Sequence, residues 1–519
     1  MASQALPPAN LPETAAMHDR QELCLQLLQN VNASHILEIL PSKIHDNGSG
    51  LFAKEAIPEG SEIFRSTPLV TCVADGRQHI TCDYCFASMA PNFNGIDSMK
   101  PTFDAIAIPE ITMCINCFTK SFEEYHKFEC DALAQFPTAG FLTRMLYRML
   151  AMHKLGAISD HEADALRHLW GHRGQNPYGV SSDIIVTTVT NVETLIQSEL
   201  GDEKIQDLYC KVLSNGMLIK PPGEESYGGM LDLVGSLINH SCDPNTVMVF
   251  ECGQLRLRSL KPIRAGDEIT QTYTDLKAGV LVRRQELSIR ASFTCSCIRC
   301  EVEHMIISAL TTNEGFSLND FADTEMKLIN LGNQVFTYTA EQLEAALDAH
   351  TRAIFTTRPW PDTLKPIGTI RFCLARLSNN HLQAAMHALK GCLSTTNRSG
   401  PEWVDSLHVC LLYLEQFIIT PGAPQFGIPD MRRFRYFFIG LLNELLMQAN
   451  KVYGIGTRYT TAIVTWYSNV INTMDQPRPG EQGFVRTFSL SQAPVLMWAG
   501  IEREMGVTLT IARAEAEAV

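Results

Sequence analysis

The sequence has no apolar run long enough to cross a bilayer and no N-terminal export signal. None of its stretches approaches about 18 uninterrupted apolar residues, and the apolar-rich segment 436–447 is broken by Gly440, Asn443 and Glu444. The first residues, MASQALPPANLPE, lack the basic region and apolar core of a signal peptide. We therefore expect a buried helix at 436–447 and an intracellular protein, in the cytoplasm or the nucleus, that does not associate with membranes.

An excess of basic residues is also absent. Lys and Arg number 42 against 56 Asp and Glu, which gives 42 − 56 = −14 over 519 residues. A general nucleic-acid binder needs a basic surface to neutralise phosphates, so this balance disfavours a zinc-finger DNA binder and any specific nucleic-acid partner. It suits a basic partner such as a Lys-rich peptide. The hydrophobic content of 45% indicates a globular chain, and at about 150 residues per domain its length suggests roughly three domains.

Hydrophobic periodicity separates strand-like from helix-like regions. Residues 1 to about 20 are Pro- and Ala-rich, and we predict a loose arm over residues 1–30. Short apolar runs between Gly and Pro predict strands over 36–73. An apolar stripe predicts a helix over 141–155, and alternation predicts strands again over 229–274. More than 200 helix-like residues follow Cys300. The pattern therefore predicts an α+β fold followed by an all-α region.

The alternating segment TVMVFECGQLRLRSL also makes a prediction about side-chain direction. We expect Val247 and Val249 to face the same side of the sheet as Leu255 and Leu257, because successive strand residues alternate between its two faces.

Sixteen cysteines in a reducing compartment are better metal ligands than disulfide partners. The strongest cluster is Cys295, Cys297 and Cys300, three thiols within six residues that are well placed to bind zinc as thiolates. Zinc favours four tetrahedral ligands, so the fourth must come from elsewhere. We predict that Cys242, in the motif NHSCDPN, is this donor.

Six more candidate zinc ligands lie between residues 82 and 130. They form the pairs Cys82-x2-Cys85, Cys114-x2-Cys117 and His126-x3-Cys130. One tetrahedral zinc needs four of them. The first alternative uses the four cysteines of the first two pairs, a regular all-cysteine set that we prefer. The second joins Cys114 and Cys117 to His126 and Cys130. With the other cluster, this predicts about two zinc ions per chain.

Three shorter motifs carry groups suited to a ligand. Gly48-Ser49-Gly50 could bring backbone N–H and C=O groups close to a ligand because glycine has no Cβ, although an ordinary hairpin turn has the same pattern. NHSCDPN offers the polar groups of Asn239 and His240 before a turn at Pro244. GDEITQTYTDL ends an alternating strand with Tyr273.

Together these motifs resemble the SET-domain protein lysine methyltransferases, and the Cys/His insert is similar to that of the SET–MYND family. The ordered blocks GSGLFA, SNGMLI, SLINHSCDPN, RAGDEITQTY and FTCSCIRC carry the resemblance over about residues 36–301. It implies a multi-stranded β SET fold with a small inserted zinc module and a helical-repeat, TPR-like domain. The implied segments are the N-terminal SET part at 31–81, a degenerate MYND-type finger at 82–130, a helical insert and SET core at 131–276, a post-SET zinc segment at 277–301 and the helical repeats at 302–519.

The resemblance also implies an activity and a set of site residues. The activity is transfer of methyl groups from S-adenosylmethionine to lysine side chains of a protein or peptide, histone or non-histone. Further partner proteins would bind through the finger or the helical domain. The residues that match the family's cofactor contacts are Gly48, Ser49, Gly50, Asn215, Asn239, His240, Phe293 and Tyr273. Among them, Phe293 matches the aromatic residue on the adenine, and Tyr273 matches the tyrosine beside the transferring methyl group.

The sequence departs from the family pattern at two places. A full MYND module has eight zinc ligands for two ions, whereas this segment offers six. The family commonly has an aromatic residue two positions before Phe293, as a wall of the lysine channel, and this chain has Ala291. Both departures leave open a second hypothesis, a catalytically weak or inactive adaptor that binds protein partners through the finger and the helical domain.

Overall fold

The computed structural model describes most of the chain and divides it into two compact units. The units are Met1–Gln271 with Ser288–Phe293, and Thr272–Leu287 with Thr294–Val519. The residues described are 13–42, 44, 48–78, 80–86, 105–108, 111–135, 139–169, 171, 180–220, 226–314, 317–352, 365–393, 400–419 and 431–498.

The first unit combines short strands with helices. Its helices are α1 (Glu13–Asn30), α2 (Ile115–Ser121), α3 (Lys127–Gln135), α4 (Phe141–Lys154), α5 (Asp160–His168), α6 (Ser182–Ile196) and α7 (Asp202–Asn215). Its strands are β1 (Leu37–Pro41), β2 (Ser49–Ala53), β3 (Glu62–Ser66), β4 (Val70–Val73), β5 (Ala105–Ile108), β6 (Ile111–Cys114), β7 (Met217–Ile219), β8 (Gly228–Leu231), β9 (Asn239–His240), β10 (Thr246–Glu251), β11 (Gln254–Ser259) and β12 (Thr270–Gln271). Both strand-rich regions and the helix after residue 140 are therefore confirmed.

The strands form several small sheets around an aliphatic core. β1 pairs with β2, β11 lies between β10 and β3, and β8 lies between β4 and β7, all antiparallel. β9 and β12 are parallel. The core between them contains the fully buried strand residues Leu37, Leu51, Leu231 and Leu257, together with Ile269 just before β12. This core holds the chain segments that carry the candidate ligand-binding motifs.

The prediction of a loose arm over residues 1–30 is wrong for Glu13–Asn30, which forms α1. Leu23, Leu27 and Leu28 are at most 8% exposed and pack into the core of the first unit. These residues follow helical spacing, and their burial outweighs the Pro- and Ala-rich composition that suggested a loose arm. Residues 1–12 lie outside the described part of the chain.

The predicted common face for the two halves of the β10–β11 hairpin is also wrong. Residues directly opposite each other share a face, and Val247 lies opposite Arg258 whereas Leu257 lies opposite Met248. The cause is the two-residue turn Cys252–Gly253, in which both residues have positive φ, 51° and 80°. Such a type I′ turn sets the register of the strands, so the valines and the leucines lie on opposite faces.

The second unit is helical in the described residues, as predicted. Its helices are α8 (Val280–Ala291, whose last turn belongs to the first unit), α9 (Ile298–Glu314), α10 (Leu318–Asn333), α11 (Ala340–Arg352), α12 (Lys365–Leu377), α13 (His381–Leu393), α14 (Pro401–Ile419), α15 (Met431–Tyr453), α16 (Arg458–Ile471) and α17 (Phe484–Trp498). Helices adjacent in sequence pack together, for example α12 with α13 and α15 with α16.

The apolar-rich segment 436–447 is a buried part of α15, as predicted. Phe438, Leu442, Leu445 and Ala449 form one of its buried stripes. Among the helices that the structure describes, none combines the length and apolar character needed to span a bilayer.

Candidate cofactor site and metal centres

The side-chain amide of Asn239 joins segments that are far apart in the sequence. Its Nδ2 donates to the carbonyl oxygen of Ser49 at 3.0 Å and to Oε1 of Glu268 at 2.7 Å. Because a carbonyl oxygen and an ionised carboxylate only accept hydrogen bonds, the amide nitrogen must face them. No residue in the described part of the chain donates to Oδ1 of Asn239. This oxygen is left as an acceptor for a ligand.

Gly50 packs against the same carboxylate. A Cβ at this position would lie 2.2 Å from Oε1 of Glu268 and 2.9 Å from Nδ2 of Asn239. Gly50 is a buried residue of β2 without a positive φ, so close packing, not turn geometry, requires glycine here. Ser42 donates from Oγ to Oε1 of Glu268 at 2.8 Å. The predicted cofactor segment 48–50 thus adjoins a polar network centred on Glu268.

Both ends of the NHSCDPN motif are held by the segment that contains Glu268. Strand β9 places Asn239 opposite Thr270 of β12. At the other end, Oδ1 of Asn245 accepts the backbone N–H of Thr270 at 2.8 Å, and its Nδ2 donates to the carbonyl oxygen of Glu268 at 2.8 Å. The motif is therefore fixed by hydrogen bonds and not only by packing.

The structure brings together the predicted residues His240 and Phe293. Their ring centroids lie 5.7 Å apart at an interplanar angle of 54°. His240 is fully buried, and its Nε2 lies 3.2 Å from Sγ of Cys242, which is also fully buried. Phe293 is only half-buried, so Phe293, and not the enclosed His240, can offer an aromatic surface to a ligand.

The segment that leads to Phe293 is anchored near Asn215. Arg290 donates from Nη2 to the carbonyl oxygen of Gly216 at 2.8 Å. Asn215 ends α7, and its Nδ2 donates to a carbonyl oxygen one turn earlier in that helix at 2.9 Å. Ser292 has a φ of 56°, which is uncommon for a residue other than glycine and turns the chain away from α8 just before Phe293.

Tyr273, the predicted catalytic residue, is half-buried in a bend two residues beyond β12. The strand before it has only two residues, so Tyr273 follows the strand and does not end it as predicted. Oγ1 of Thr272 accepts the backbone N–H of Thr274 at 3.2 Å, and Oγ1 of Thr274 donates to the carboxylate of Glu286. These contacts fix the backbone on both sides of Tyr273. Ala291 is half-buried at the end of α8.

Cys295, Cys297 and Cys300 lie around the N-terminus of α9, and their Sγ atoms lie within 4.8 Å of one another. Sulfurs bound to one tetrahedral zinc at about 2.3 Å are about 3.8 Å apart, so the three thiols fit one ion. The buried Arg283 donates to Sγ of Cys300 at 3.5 Å, and Arg284 donates to the carbonyl oxygen of Cys295 at 3.0 Å. A guanidinium and a helix N-terminus both favour the thiolate form.

The finger segment contains a second group of thiols. The Sγ atoms of Cys82, Cys85 and Cys117 also lie within 4.8 Å of one another, and Cys82 is fully buried. Cys114 ends β6, but its side chain lies outside the described ones. The three thiols fit one zinc with room for a fourth ligand, and they belong to the all-cysteine alternative.

His126, part of the second alternative, has a different environment. Its Nδ1 lies 3.2 Å from Oε1 of Glu129, and the ring is 1% exposed. Its Nε2 has no hydrogen-bond partner in the described part of the chain. Within that part, the finger group of thiols includes neither His126 nor Cys130. The geometry therefore favours the all-cysteine set.

A buried ion cluster lies between the finger and α4. Arg148, 2% exposed, donates to the carboxylate of Asp83 and, at 3.1 Å and 2.9 Å, to both oxygens of Glu129. Its guanidinium lies 3.9 Å from the ring centroid of Tyr125. Burial raises the pKa of Asp83 above its usual value. For Glu129, burial is the largest single effect and acts to raise the pKa, but the charge of Arg148 and the hydrogen bonds from His126 and Arg148 together outweigh it and leave that pKa lowered.

Sequence reasoning missed Glu268, Asn245, Arg148 and Arg283. Glu268 and Asn245 lie inside the motifs GDEITQTYTDL and NHSCDPN, but the sequence assigned them no role. The partners of Arg148 and Arg283 come from other parts of the chain, so their own neighbourhood in the sequence carries little signal.

The chain is similar in sequence to known proteins over about half of its length. Residues 48–274 match the family model described as SET domain. SET domain and MYND-type zinc finger protein 6 of Schizosaccharomyces pombe is 26% identical over 265 residues, 50% of this chain and 50% of that protein. Histone-lysine N-methyltransferase SMYD3 of Mus musculus is 28% identical over 291 residues, 52% of this chain and 63% of that protein. Over about half of its length, the chain is therefore similar to SET–MYND proteins.

The similarity covers only part of each relative. The chain spans 50% and 63% of the lengths of these two proteins. A solved structure of the SET domain of LSMT bound to methyllysine and AdoHcy covers 90% of this chain and 98% of its own, at 12% identity and a TM-score of 0.30. That similarity is too low to relate the two folds element by element.

Proposed function

We propose that this protein transfers methyl groups from S-adenosylmethionine to lysine side chains of protein substrates. The observation that carries the proposal is the convergence of three distant motifs: the amide of Asn239 bonds to the carbonyl oxygen of Ser49, and His240 packs beside Phe293. This arrangement offers a polar acceptor and an aromatic surface for one ligand. The names of SMYD3 and related proteins support the same activity.

The residues fit the cofactor by their chemistry. Oδ1 of Asn239 suits the ammonium group of the amino-acid end, and the ring of Phe293, which packs against the buried His240, suits the adenine. When bound, the cofactor supplies an activated methyl group. Tyr273 is proposed to orient the attacking lysine nitrogen and to place an oxygen beside the methyl group, a role of alignment and electrostatics.

The substrate lysine must be neutral to attack. With an ordinary pKa near 10.4, about one lysine in a thousand is neutral at pH 7.4, a cost of roughly 4 kcal/mol. A desolvated channel lowers that pKa, because burial disfavours the charged form. We propose that the protein provides such a channel. The net charge of −14 would favour encounter with Lys-rich segments of proteins in the cytoplasm or the nucleus.

The experiment that tests the proposal is transfer of a radiolabelled methyl group from S-adenosylmethionine to a fractionated lysate. We expect labelled protein bands, and acid hydrolysis of these bands should yield methylated lysine. The adaptor hypothesis, which Ala291 favours because the lysine channel lacks one aromatic wall, predicts binding partners but no label above the protein-free control. Label on another amino acid would contradict lysine specificity.

We also propose two zinc sites. Cys242 is the fourth ligand to Cys295, Cys297 and Cys300, and Cys114 completes the set of Cys82, Cys85 and Cys117. Three thiols close together in each group support both sites. Zinc bound there would stabilise the segments that flank the cofactor residues.

We expect purified protein to contain two zinc ions per chain, measured by atomic emission. Cys85→Ser and Cys297→Ser should each remove one ion, because a site with three ligands left binds zinc weakly. Only Cys297→Ser should also weaken cofactor binding, since Cys297 lies four residues after Phe293 in the same segment. The control is Cys252→Ser at an exposed cysteine, which should keep both zinc ions and wild-type cofactor binding. A zinc content that stays at two in Cys297→Ser would show that the site is placed wrongly.

His126→Gln distinguishes the two finger alternatives. We expect the zinc content to stay at two and the stability to fall by about 1 kcal/mol through the lost hydrogen bond to Glu129. Loss of one zinc ion in this variant would instead assign His126 as a ligand and overturn the all-cysteine set. Elemental analysis and thermal unfolding of the same preparation provide both readouts.

A further inference from the structure

We propose that Glu268 is a positioning residue for cofactor binding: its carboxylate fixes the amide of Asn239 so that Oδ1 faces the ammonium group of the cofactor. The inference rests on the proposed function and adds a residue of the motif GDEITQTYTDL to which the sequence assigned no role. Glu268 is 8% exposed and belongs to the first unit, together with every residue it is argued to orient.

The hydrogen bonds around Glu268 determine the orientation of Asn239. Oε1 of Glu268 accepts from Nδ2 of Asn239 at 2.7 Å and from Oγ of Ser42 at 2.8 Å. The second hydrogen of Nδ2 goes to the carbonyl oxygen of Ser49 at 3.0 Å. With both amide hydrogens used, a rotation of the amide by 180° would place Oδ1 against two acceptors. The rotated state is therefore disfavoured as long as the side chain of Glu268 is in place as an acceptor.

The backbone holds Glu268 in this position independently of its side chain. Its carbonyl oxygen accepts from Nδ2 of Asn245 at 2.8 Å, and the residue forms an isolated antiparallel bridge with Phe52 of β2. Gly50 leaves the space that the carboxylate occupies, since a Cβ there would lie 2.2 Å from Oε1. The carboxylate is thus built into the sheet beside the candidate cofactor segment, and replacing it need not disturb the backbone.

The role predicts a selective defect in Glu268→Ala. Without the carboxylate the amide of Asn239 can rotate, and Oδ1 no longer faces the ammonium group in a single orientation. We expect the dissociation constant of S-adenosylhomocysteine, measured by calorimetry, to rise about 10- to 100-fold, as for loss of a hydrogen bond to a charged group. The dissociation constant of the analogue that lacks the α-amino group should change less than about threefold.

Further variants separate positioning from other roles. Glu268→Gln keeps an acceptor of the same shape and should bind S-adenosylhomocysteine within about threefold of wild type. Gly50→Ala should displace the carboxylate and reproduce the defect of Glu268→Ala, whereas Gly332→Ala, where an added Cβ meets open space, should bind like wild type. Asn239→Ala combined with Glu268→Ala should bind no more weakly than Asn239→Ala alone, because the second change acts through the first residue.

Each contrary result has a defined meaning. Equal losses for S-adenosylhomocysteine and for the analogue without the amino group would make Glu268 a structural residue and overturn the proposal. If Glu268→Gln loses as much affinity for S-adenosylhomocysteine as Glu268→Ala does, the negative charge of Glu268 acts directly on the ligand. That result would also overturn the positioning role. If Glu268→Ala does not fold, Ser42→Ala, which removes one donor to the carboxylate, replaces it. This variant should lose less affinity for S-adenosylhomocysteine and should again bind the analogue without the amino group nearly as well as wild type does. Equal losses of affinity for the two ligands would count against the proposal. Wild-type protein that binds no S-adenosylhomocysteine would contradict the proposed function itself.

Discussion

Tyr273→Phe is expected to lower methyl transfer by about 10²- to 10³-fold while cofactor binding changes little. The substitution removes one hydroxyl and keeps the ring, so the packing of this half-buried residue is preserved. A preorganised polar group that acts at the transition state typically contributes a factor of this size. The loss of one buried hydrogen bond costs about 1 kcal/mol of stability. Single-turnover transfer of labelled methyl groups and calorimetric binding of S-adenosylhomocysteine measure the two effects separately.

The matched control for this substitution is Tyr467→Phe. Tyr467 is also half-buried but lies on α16 in the helical unit, and its hydroxyl has no proposed contact with the reacting groups. We expect wild-type transfer rates in this variant. If wild-type protein transfers methyl groups and Tyr273→Phe does so at the same rate, Tyr273 is structural and the assignment of the catalytic residue is wrong. If neither transfers, the adaptor hypothesis gains support.

The sequence predicted most of the elements because their periodicity reflects burial. The strands around Leu51 and Leu257 and the helices after Cys300 were predicted from apolar patterns that the core of each unit then uses. Helix α1 was missed because its short stripe of leucines follows a proline-rich sequence. Only packing against the strands makes this helix favourable. The predicted side-chain direction of Val247 relative to Leu257 was wrong, because the turn residues Cys252 and Gly253 determine the register of the two strands and the alternation within each strand does not.

The candidate site was predictable only where a motif carries it. The pairs Asn239-His240 and Ser49-Gly50 were identified, and the hydrogen bond between Asn239 and Ser49 joins them across 190 positions. Glu268 could not be recognised in the same way, because its role depends on Ser42 and Asn239, which lie 226 and 29 positions away. Supporting polar networks of this kind are visible only once the fold brings their members together.

The largest expected effect on stability concerns another such network, that of Arg148. In the sequence, Arg148 lies in FLTRMLYRMLAM one turn after Arg144, and such spacing normally indicates a solvent-exposed helix face. Both arginines are buried instead, at 2% and 4% exposure, and Arg144 donates to Asp75 at 2.8 Å. α4 is therefore enclosed on its charged side as well, and the carboxylates that compensate Arg148 come from Asp83 in the finger and from Glu129 on α3.

Arg148→Met is expected to destabilise the first unit by about 3–5 kcal/mol, because it leaves two buried carboxylates without a counter-charge. The exposed Arg167, whose side chain is 70% accessible and pairs with Asp164 on the surface, is the matched control, and Arg167→Met should cost at most about 1 kcal/mol. Adding Asp83→Asn and Glu129→Gln to Arg148→Met should restore most of the loss, since replacing a whole buried ion cluster by neutral groups is often close to neutral. Urea unfolding at neutral pH measures the free energy of unfolding of Arg148→Met, Arg167→Met and the triple variant. A triple variant no more stable than Arg148→Met would show that Arg148 stabilises the finger through its contacts with Tyr125 and the backbone, and not by neutralising the two carboxylates.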